Sequence, residues 1–377
     1  MFQRLRQMLV KEFIQVFRDP RQRFGLIAPP IIQMIIFGYA ATFEVRHVAT
    51  AIVDLDHSQE SRDLIARFTS NGHFDVRAHP QNNRQIAELI DDGKVILAIQ
   101  IHPGFAENLR KGQTAPVQVI LDGTNSNTAL VALGYINQIA ADYAVAYQTD
   151  MLNRTQPSLA TLIPTVSFER RPWYNANLDS MWFFVPGTIG TITLTLIVTL
   201  TAFSVVRERE IGTLEQIMVT PISRAEFILG KTIPFFCIGF GQVTLISLLG
   251  TLWFRVPFRG ELWLMALGSA LFIISMLGVG LFISTVSSTQ QQAMVAAFFF
   301  VTPAITLSGF SFPISSMPEL FQWLTYINPL RYFLEILRGI YLKGNGIALL
   351  WPDLAALLLI GVVLLSVDVQ RFHKSLE

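Results

Sequence analysis

LWLMALGSALFIISMLGVGLFISTV, residues 262–286, decides the fold. It contains no Asp, Glu, Lys, Arg or His. In hydrocarbon a helix satisfies its own backbone groups, and about 20 residues of helix cross a bilayer core of roughly 30 Å. The reading extends outward to Phe24–Phe43, Met181–Val206, Thr232–Phe254, Gln292–Phe312 and Ile347–Val367, where Asp353 is the sole ionisable residue. Ion-coupled transporters usually keep titratable groups inside the membrane. Their near absence here implies that any driving force acts from outside the bilayer.

Of 377 residues, 51% are hydrophobic and 15% charged, which fits a membrane protein better than a soluble enzyme. The net charge of +1 provides no bulk field for nucleic acid. A single Cys237 excludes an intrachain disulfide and reads as a small buried apolar residue. The first apolar run reads as a retained helix. It follows a long basic stretch, and it exceeds the about 7–15 residues of a signal core. Pro29-Pro30 predicts a kink in it.

Six spans put both termini on one side. That side carries Arg4, Arg6, Lys11, Arg18, Arg21 and Arg23, then Arg207, Arg209, Arg224 and Lys231, then Arg371 and Lys374. The short opposite loops carry fewer cations: Arg255, Arg259, Arg331, Arg338 and Lys343. The positive-inside rule therefore predicts cytoplasmic termini.

The expected fold class is an α-helical polytopic membrane protein with six transmembrane helices. Residues 1–23 form an N-terminal amphipathic interfacial helix, with Phe2, Leu5, Leu9, Phe13 and Val16 on one face and Arg4, Lys11 and Arg18 on another. Its cations suit a lipid surface, and Asp19-Pro20 ends it. Residues 24–44 are helix 1. Residues 45–180 alternate strand and helix patterns (Val48–Val53, His57–Phe68, Phe74–Arg77, Asn83–Asp92, Val95–Ile101, Gly104–Lys111, Val117–Leu121, then a helix over 127–153). This predicts an inserted α/β extracytoplasmic domain between helices 1 and 2. Residues 181–367 hold helices 2–6, and 368–377 a cytoplasmic tail.

Two connections stand out. Residues 207–231 are longer than a bundle turn requires. Thr213-Leu-Glu-Gln216 is a capping box, Thr220-Pro221 a stop, and Ser223-Arg-Ala-Glu226 a second box launching helix 3. A short rigid helix there would act as a lever for a soluble partner; the bland reading is a solvated polar loop. Within 313–346, Met317-Pro318 opens an amphipathic piece and Asn328-Pro329 breaks it. Leu330–Leu342 then reads as a helix with Arg331, Glu335 and Arg338 on one face, where they partly neutralise each other. It dips into the outer leaflet, with Trp323, Tyr326 and Tyr332 at interfacial depth, or packs on the bundle as an ordinary loop helix.

Val206-Arg-Glu-Arg-Glu-Ile-Gly-Thr-Leu-Glu-Gln-Ile-Met-Val-Thr-Pro221 resembles the cytoplasmic coupling segment of ABC-2-type transporter permeases. Leu307-Ser-Gly-Phe-Ser-Phe-Pro313 and Tyr326-Ile-Asn-Pro-Leu-Arg-Tyr332 resemble the same family's segment around the end of helix 5. In detail the chain is similar to bacterial multidrug-type export permeases. The resemblance implies a membrane subunit of an exporter in the bacterial inner (cytoplasmic) membrane, moving a lipophilic, drug-like compound. It implies a dimer with a second copy or a paralogue, worked by a separate cytoplasmic ABC ATPase that holds the ATP and Mg; this chain carries no cofactor. By family analogy a periplasmic adaptor is a further partner, beside membrane lipid. Carried over, Arg207, Glu208, Arg209, Glu210, Gly212, Thr213, Glu215, Thr220 and Pro221 are expected to couple to the ATPase. Arg4, Lys11 and Phe13 belong to the connecting helix. Asn328, Pro329, Arg331, Glu335 and Arg338 belong to the outer re-entrant segment. No substrate-binding residue is readable.

Leu229-Gly-Lys-Thr232 mimics the end of a phosphate-binding loop, but Ala225 stands where an earlier Gly is needed. No catalytic site is expected, and Lys231 is read as lying at the headgroups. Asp54, Asp56 and His57 match no metal template. The rival reading is a membrane-anchored extracytoplasmic sensor or assembly factor.

Overall fold

The computed structural model describes residues 2–18, 20–40, 47–124, 126–155, 173–175, 179–212 and 224–374. The chain divides into two units, Thr42–Arg170 and the remainder. Helix α1 spans Phe2–Arg18 and α2 Pro20–Ala40, which runs through Pro29-Pro30 as one helix. Among the described side chains of α1, Met8 and Glu12 are buried one turn apart, while Val10 and Ile14 are exposed.

The smaller unit is a four-stranded sheet with helices. Its elements are β1 (Val48–Asp54), α3 (Gln59–Ser70), β2 (Phe74–Ala78), α4 (Asn83–Asp91), β3 (Leu97–Ile101), α5 (Phe105–Arg110), β4 (Val117–Leu121) and α6 (Ser126–Thr155). The strand order is β2-β1-β3-β4, with β4 antiparallel and the other pairs parallel. Parallel strands must be covered on both faces. Leu97, Ile99 and Ile101 face a cluster with Leu64, Phe68, Phe105, Ile136 and Ile139; Ala51, Val53 and Ala98 face Ile86 of α4. Ser58 caps α3 by accepting from Ser61 N at 3.0 Å, and Asn82 caps α4 by accepting from Gln85 N at 2.9 Å.

Asp54, Asp56 and His57 form a turn. Asp54 Oδ1 accepts from the backbone N of Asp56 and His57, and its Oδ2 from Ser61 Oγ at 2.7 Å. Asp56 accepts from Gly104, Phe105 and Ala106 N at 2.7, 3.1 and 3.1 Å, closing the start of α5. Ser58 and these amides hold its carboxyl below its ordinary range.

The larger unit continues with α7 (Ser180–Ile211), α8 (Arg224–Leu252), α9 (Leu262–Val286) and α10 (Gln290–Thr306). It ends with α11 (Glu319–Thr325), α12 (Pro329–Arg338), a π-helical turn (Gly339–Lys343) and α13 (Ile347–Lys374). Among the described residues, five helical stretches are long and apolar enough to cross a membrane. They are Thr128–Arg154, Ser180–Ile211, Glu226–Leu252, Leu262–Val286 and Ile347–Gln370. The first is α6, whose Ala132, Ile136, Ile139 and Tyr143 pack on the sheet.

Two of the six expected spans take other limits. The predicted Gln292–Phe312 span becomes a 17-residue helix ending at Thr306, about 26 Å long. The chain then turns through Gly309 at φ +81°. Helix α2, expected to begin at Phe24, begins at Pro20 and runs for 21 residues to Ala40, about 31 Å. Cys237 is exposed on the helix surface, not buried as read from the sequence.

The bundle core is built on α7. Gly280 of α9 lies so near it that an added Cβ would sit 2.6 Å from Thr201 Cβ and 3.1 Å from Val198 O. Helix α12 packs against α7, α9 and α13. Its Leu330, Phe333, Leu334, Ile336 and Leu337 are all fully buried, and Phe333 stacks on Phe272 at 4.1 Å.

Candidate functional site: a buried ion cluster at the end of α7

Glu12 on α1, Glu208 on α7 and Lys231 on α8 meet in the interior. Lys231 is 1% exposed, and its Nζ donates to Glu208 Oε1 at 2.7 Å, Glu12 Oε1 at 2.8 Å and Ser204 O at 3.3 Å. Lys11 Nζ, half-exposed, adds a bond to Glu208 Oε1 at 3.0 Å. Two lysines thus balance two carboxylates, the condition under which charge is tolerated in low dielectric. Beside them Met8 covers Gly230; a Cβ on Gly230 would lie 2.5 Å from Met8 Sδ.

This overturns the placement of Lys231 at the headgroups and changes the reading of Glu208. Both belong to the joint that fastens α1 to α7 and α8, with Glu208 Oε1 bound by Lys231 and Lys11. The helix also takes in Arg207, Glu208, Arg209 and Glu210, which the sequence placed in the loop. The reason is local: nothing breaks the helix until Gly212, which takes φ +76° and returns its N–H to Arg209 O and Glu208 O.

The last turn of α7 is fastened on its other side too. Ser284 Oγ of α9 accepts from Val205 N and Val206 N, both at 3.1 Å. Arg209 donates to Ser287 O at 2.9 Å. The Glu210 carboxylate accepts from Gln290 N at 2.7 Å and from the Gln290 side-chain amide. Any displacement of Gly212 is therefore shared by α1, α7, α8, α9 and α10. Thr213, Glu215, Thr220 and Pro221 lie outside the described residues, as does the side chain of Arg4. Phe13 is half-buried on α1.

The expected re-entrant residues gather around α12. Asn328 donates from Nδ2 to Ala304 O at 2.7 Å and accepts from Leu330 N at 3.1 Å, with Pro329 in the first turn. Arg331 lies 3.7 Å from Glu335 and 4.1 Å from the Tyr326 ring centre. Arg338 lies 4.1 Å from the Phe183 ring centre and donates to Gly309 O, while remaining within electrostatic reach of Glu335.

Sequence reasoning missed Glu12. The available signal was one acid inside the stripe Leu5, Met8, Leu9, Glu12, Val16, matched by one lysine at the start of an apolar run.

Comparison with known proteins gives this helix bundle its class, that of a membrane permease. The family described as ABC-2 family transporter protein matches residues 24–367. The chain is 37% identical over 375 residues to the probable multidrug ABC transporter permease YbhR of Escherichia coli K12, covering 99% of both. It is 34% identical to the probable multidrug ABC transporter permease YbhS of that organism, covering 91% of this chain and 90% of YbhS. The inner membrane transport permease YhhJ of the same strain is 29% identical over 332 residues.

The chain belongs to the ABC-2 transporter family. Within it, this is the membrane permease subunit of an exporter, and the sensor alternative loses its basis.

Proposed function

We propose that the chain works as one of two paired permease subunits in a bacterial inner membrane, with both termini cytoplasmic and six spans. In this reading α2 and α10 cross the bilayer, α10 despite its 17 residues, and residues 45–180 lie outside the cytoplasm. A separate ATPase, which carries the ATP and Mg, grips the segment after Gly212. Nucleotide-driven closure displaces that segment and opens a path for a lipophilic, drug-like compound between two copies or a copy and a paralogue. The relatives' multidrug names support the substrate class.

The clamped end of α7 carries the mechanism. A lever must be rigidly joined to what it moves, and ion pairs and hydrogen bonds join this helix end to four others. Charge reversal tests the reading: Glu210→Arg with Glu215→Arg, in chain reconstituted with its ATPase. Efflux of a lipophilic dye should fall at least about tenfold, a loss of 1.4 kcal/mol of coupling. Unchanged ATP-driven efflux would remove these residues from the coupling surface.

A further inference from the structure

Ser247, Ser269 and Tyr341 line one groove, and among the described residues none of their hydroxyl oxygens has a hydrogen-bond partner within 3.5 Å, although the Ser247 and Tyr341 hydroxyls lie near one another. They are 8%, 1% and 0% exposed. Buried hydroxyls normally find partners. Neighbouring ones do: Thr244 donates to Phe240 O, Thr251 to Ser247 O and Ser275 to Leu271 O. The three exceptions converge on the same space.

That space is a cavity of about 460 Å³ between α8 and α9. Its α8 wall runs from Phe240 to Thr251 at spacings of three and one, a single helical face about 16 Å long. None of its lining residues is Asp, Glu, Lys, Arg or His. Leu248 and Leu262 at its edge are 53% and 75% exposed, so it opens sideways onto an apolar helix surface. Tyr341 is held from behind. It belongs to the π-helical turn, packs edge-on against Phe258 at 5.1 Å, and its carbonyl accepts from Arg259 N at 3.3 Å. Gly260 N donates to Ile340 O at 2.9 Å, and Arg259 donates to Leu342 O at 2.9 Å. Such π-turns interrupt helices frequently at functional sites.

We propose that this groove is a lateral binding site for a neutral glycerolipid. The acyl chain lies along the α8 face toward Phe240, and ester or hydroxyl oxygens meet Ser247, Ser269 and Tyr341. Clustered oxygens beside a long apolar tail match clustered hydroxyls beside a long apolar wall. With no cation in the lining, nothing there would neutralise a phosphate. The site rests on the reading of α8 and α9 as membrane spans.

The test places the full chain in phosphatidylcholine nanodiscs with a diacylglycerol carrying a diazirine on one acyl chain. After illumination, cross-linked residues are mapped by mass spectrometry. Label should concentrate on 240–251 and 262–269. The triple variant Ser247→Ala, Ser269→Ala, Tyr341→Phe should reduce it about three- to tenfold without loss of thermal stability. Ala266→Trp, which fills the groove, should abolish it. Label spread evenly over α8, α9 and α13, or unaffected by either variant, overturns the site. Absence of label from all three helices overturns the membrane reading with it. ATP-driven efflux is scored separately: its loss with labelling intact counts against the exporter mechanism and leaves the site supported.

Discussion

Replacing Lys231 with methionine isolates the role of the buried ion cluster. In the wild type its ammonium donates to Glu208 and Glu12 at 2.7 and 2.8 Å, with all three side chains almost wholly buried. The substitution keeps the apolar stem and deletes the charge, leaving two carboxylates facing one another. Breaking a buried pair costs about 3–5 kcal/mol. Lys11 offsets part of this by its 3.0 Å contact with Glu208, but its side chain is 50% exposed, and such pairs contribute at most about 1 kcal/mol. The net loss is about 2–4 kcal/mol, or roughly 30- to 700-fold in the closed-to-open ratio of the α1 joint. Hydrogen exchange at the amides of residues 8–12, with the chain in detergent, reads that ratio directly. The triple variant Glu12→Leu, Glu208→Leu, Lys231→Met removes the three buried charges of this cluster together. It should restore protection to near the wild-type level, because apolar isosteres of a buried pair are often neutral or stabilising. Exchange altered less than threefold by the single substitution, or equally fast in the single and triple variants, would refute the electrostatic account.

Two further outcomes follow from the geometry. Gly280→Val drives a branched side chain against Thr201 and the Val198 carbonyl. It should destabilise the α7–α9 contact by about 1–3 kcal/mol in thermal or denaturant unfolding, whereas Gly25→Ala, with open space around it, should cost far less. Asp56 stabilises the smaller unit through its charged form, and its folded-state carboxyl lies below the usual 3.8. Its contribution is therefore fully present above pH 4 and lost as pH falls through the folded value. Asp56→Asn should cost about 0.5–2 kcal/mol at pH 6 and progressively less as pH falls below 3.8, as read from hydrogen exchange in α5.

Local chemistry made much of this molecule legible in advance. The patterns at Val48, Phe74 and Val117 marked strands and those at His57 and Asn83 marked helices, because strand and helix periods involve only nearby residues. The uncharged run 262–286 became a single helix with the same limits. The motif around Glu208 and Asn328 pointed to the family, and the helix cap at Asn328 could be read from the proline beside it. Helix ends were harder. Gly212, rather than the first charged residue, terminated α7, since helix propagation continues through Arg and Glu until the backbone is turned.

The sequence by itself determined that this chain makes membrane-compatible helices with a polar α/β insertion, because hydropathy and periodicity are additive along the chain. Only the tertiary structure decided that Lys231 is an interior cation, that Glu208 is its counter-charge, and that three hydroxyls share one groove. Each of those depends on residues far apart in sequence, 219 in the case of Glu12 and Lys231. The energy of a charge or hydroxyl is set by what surrounds it in space, and that neighbourhood exists only once the helices have packed.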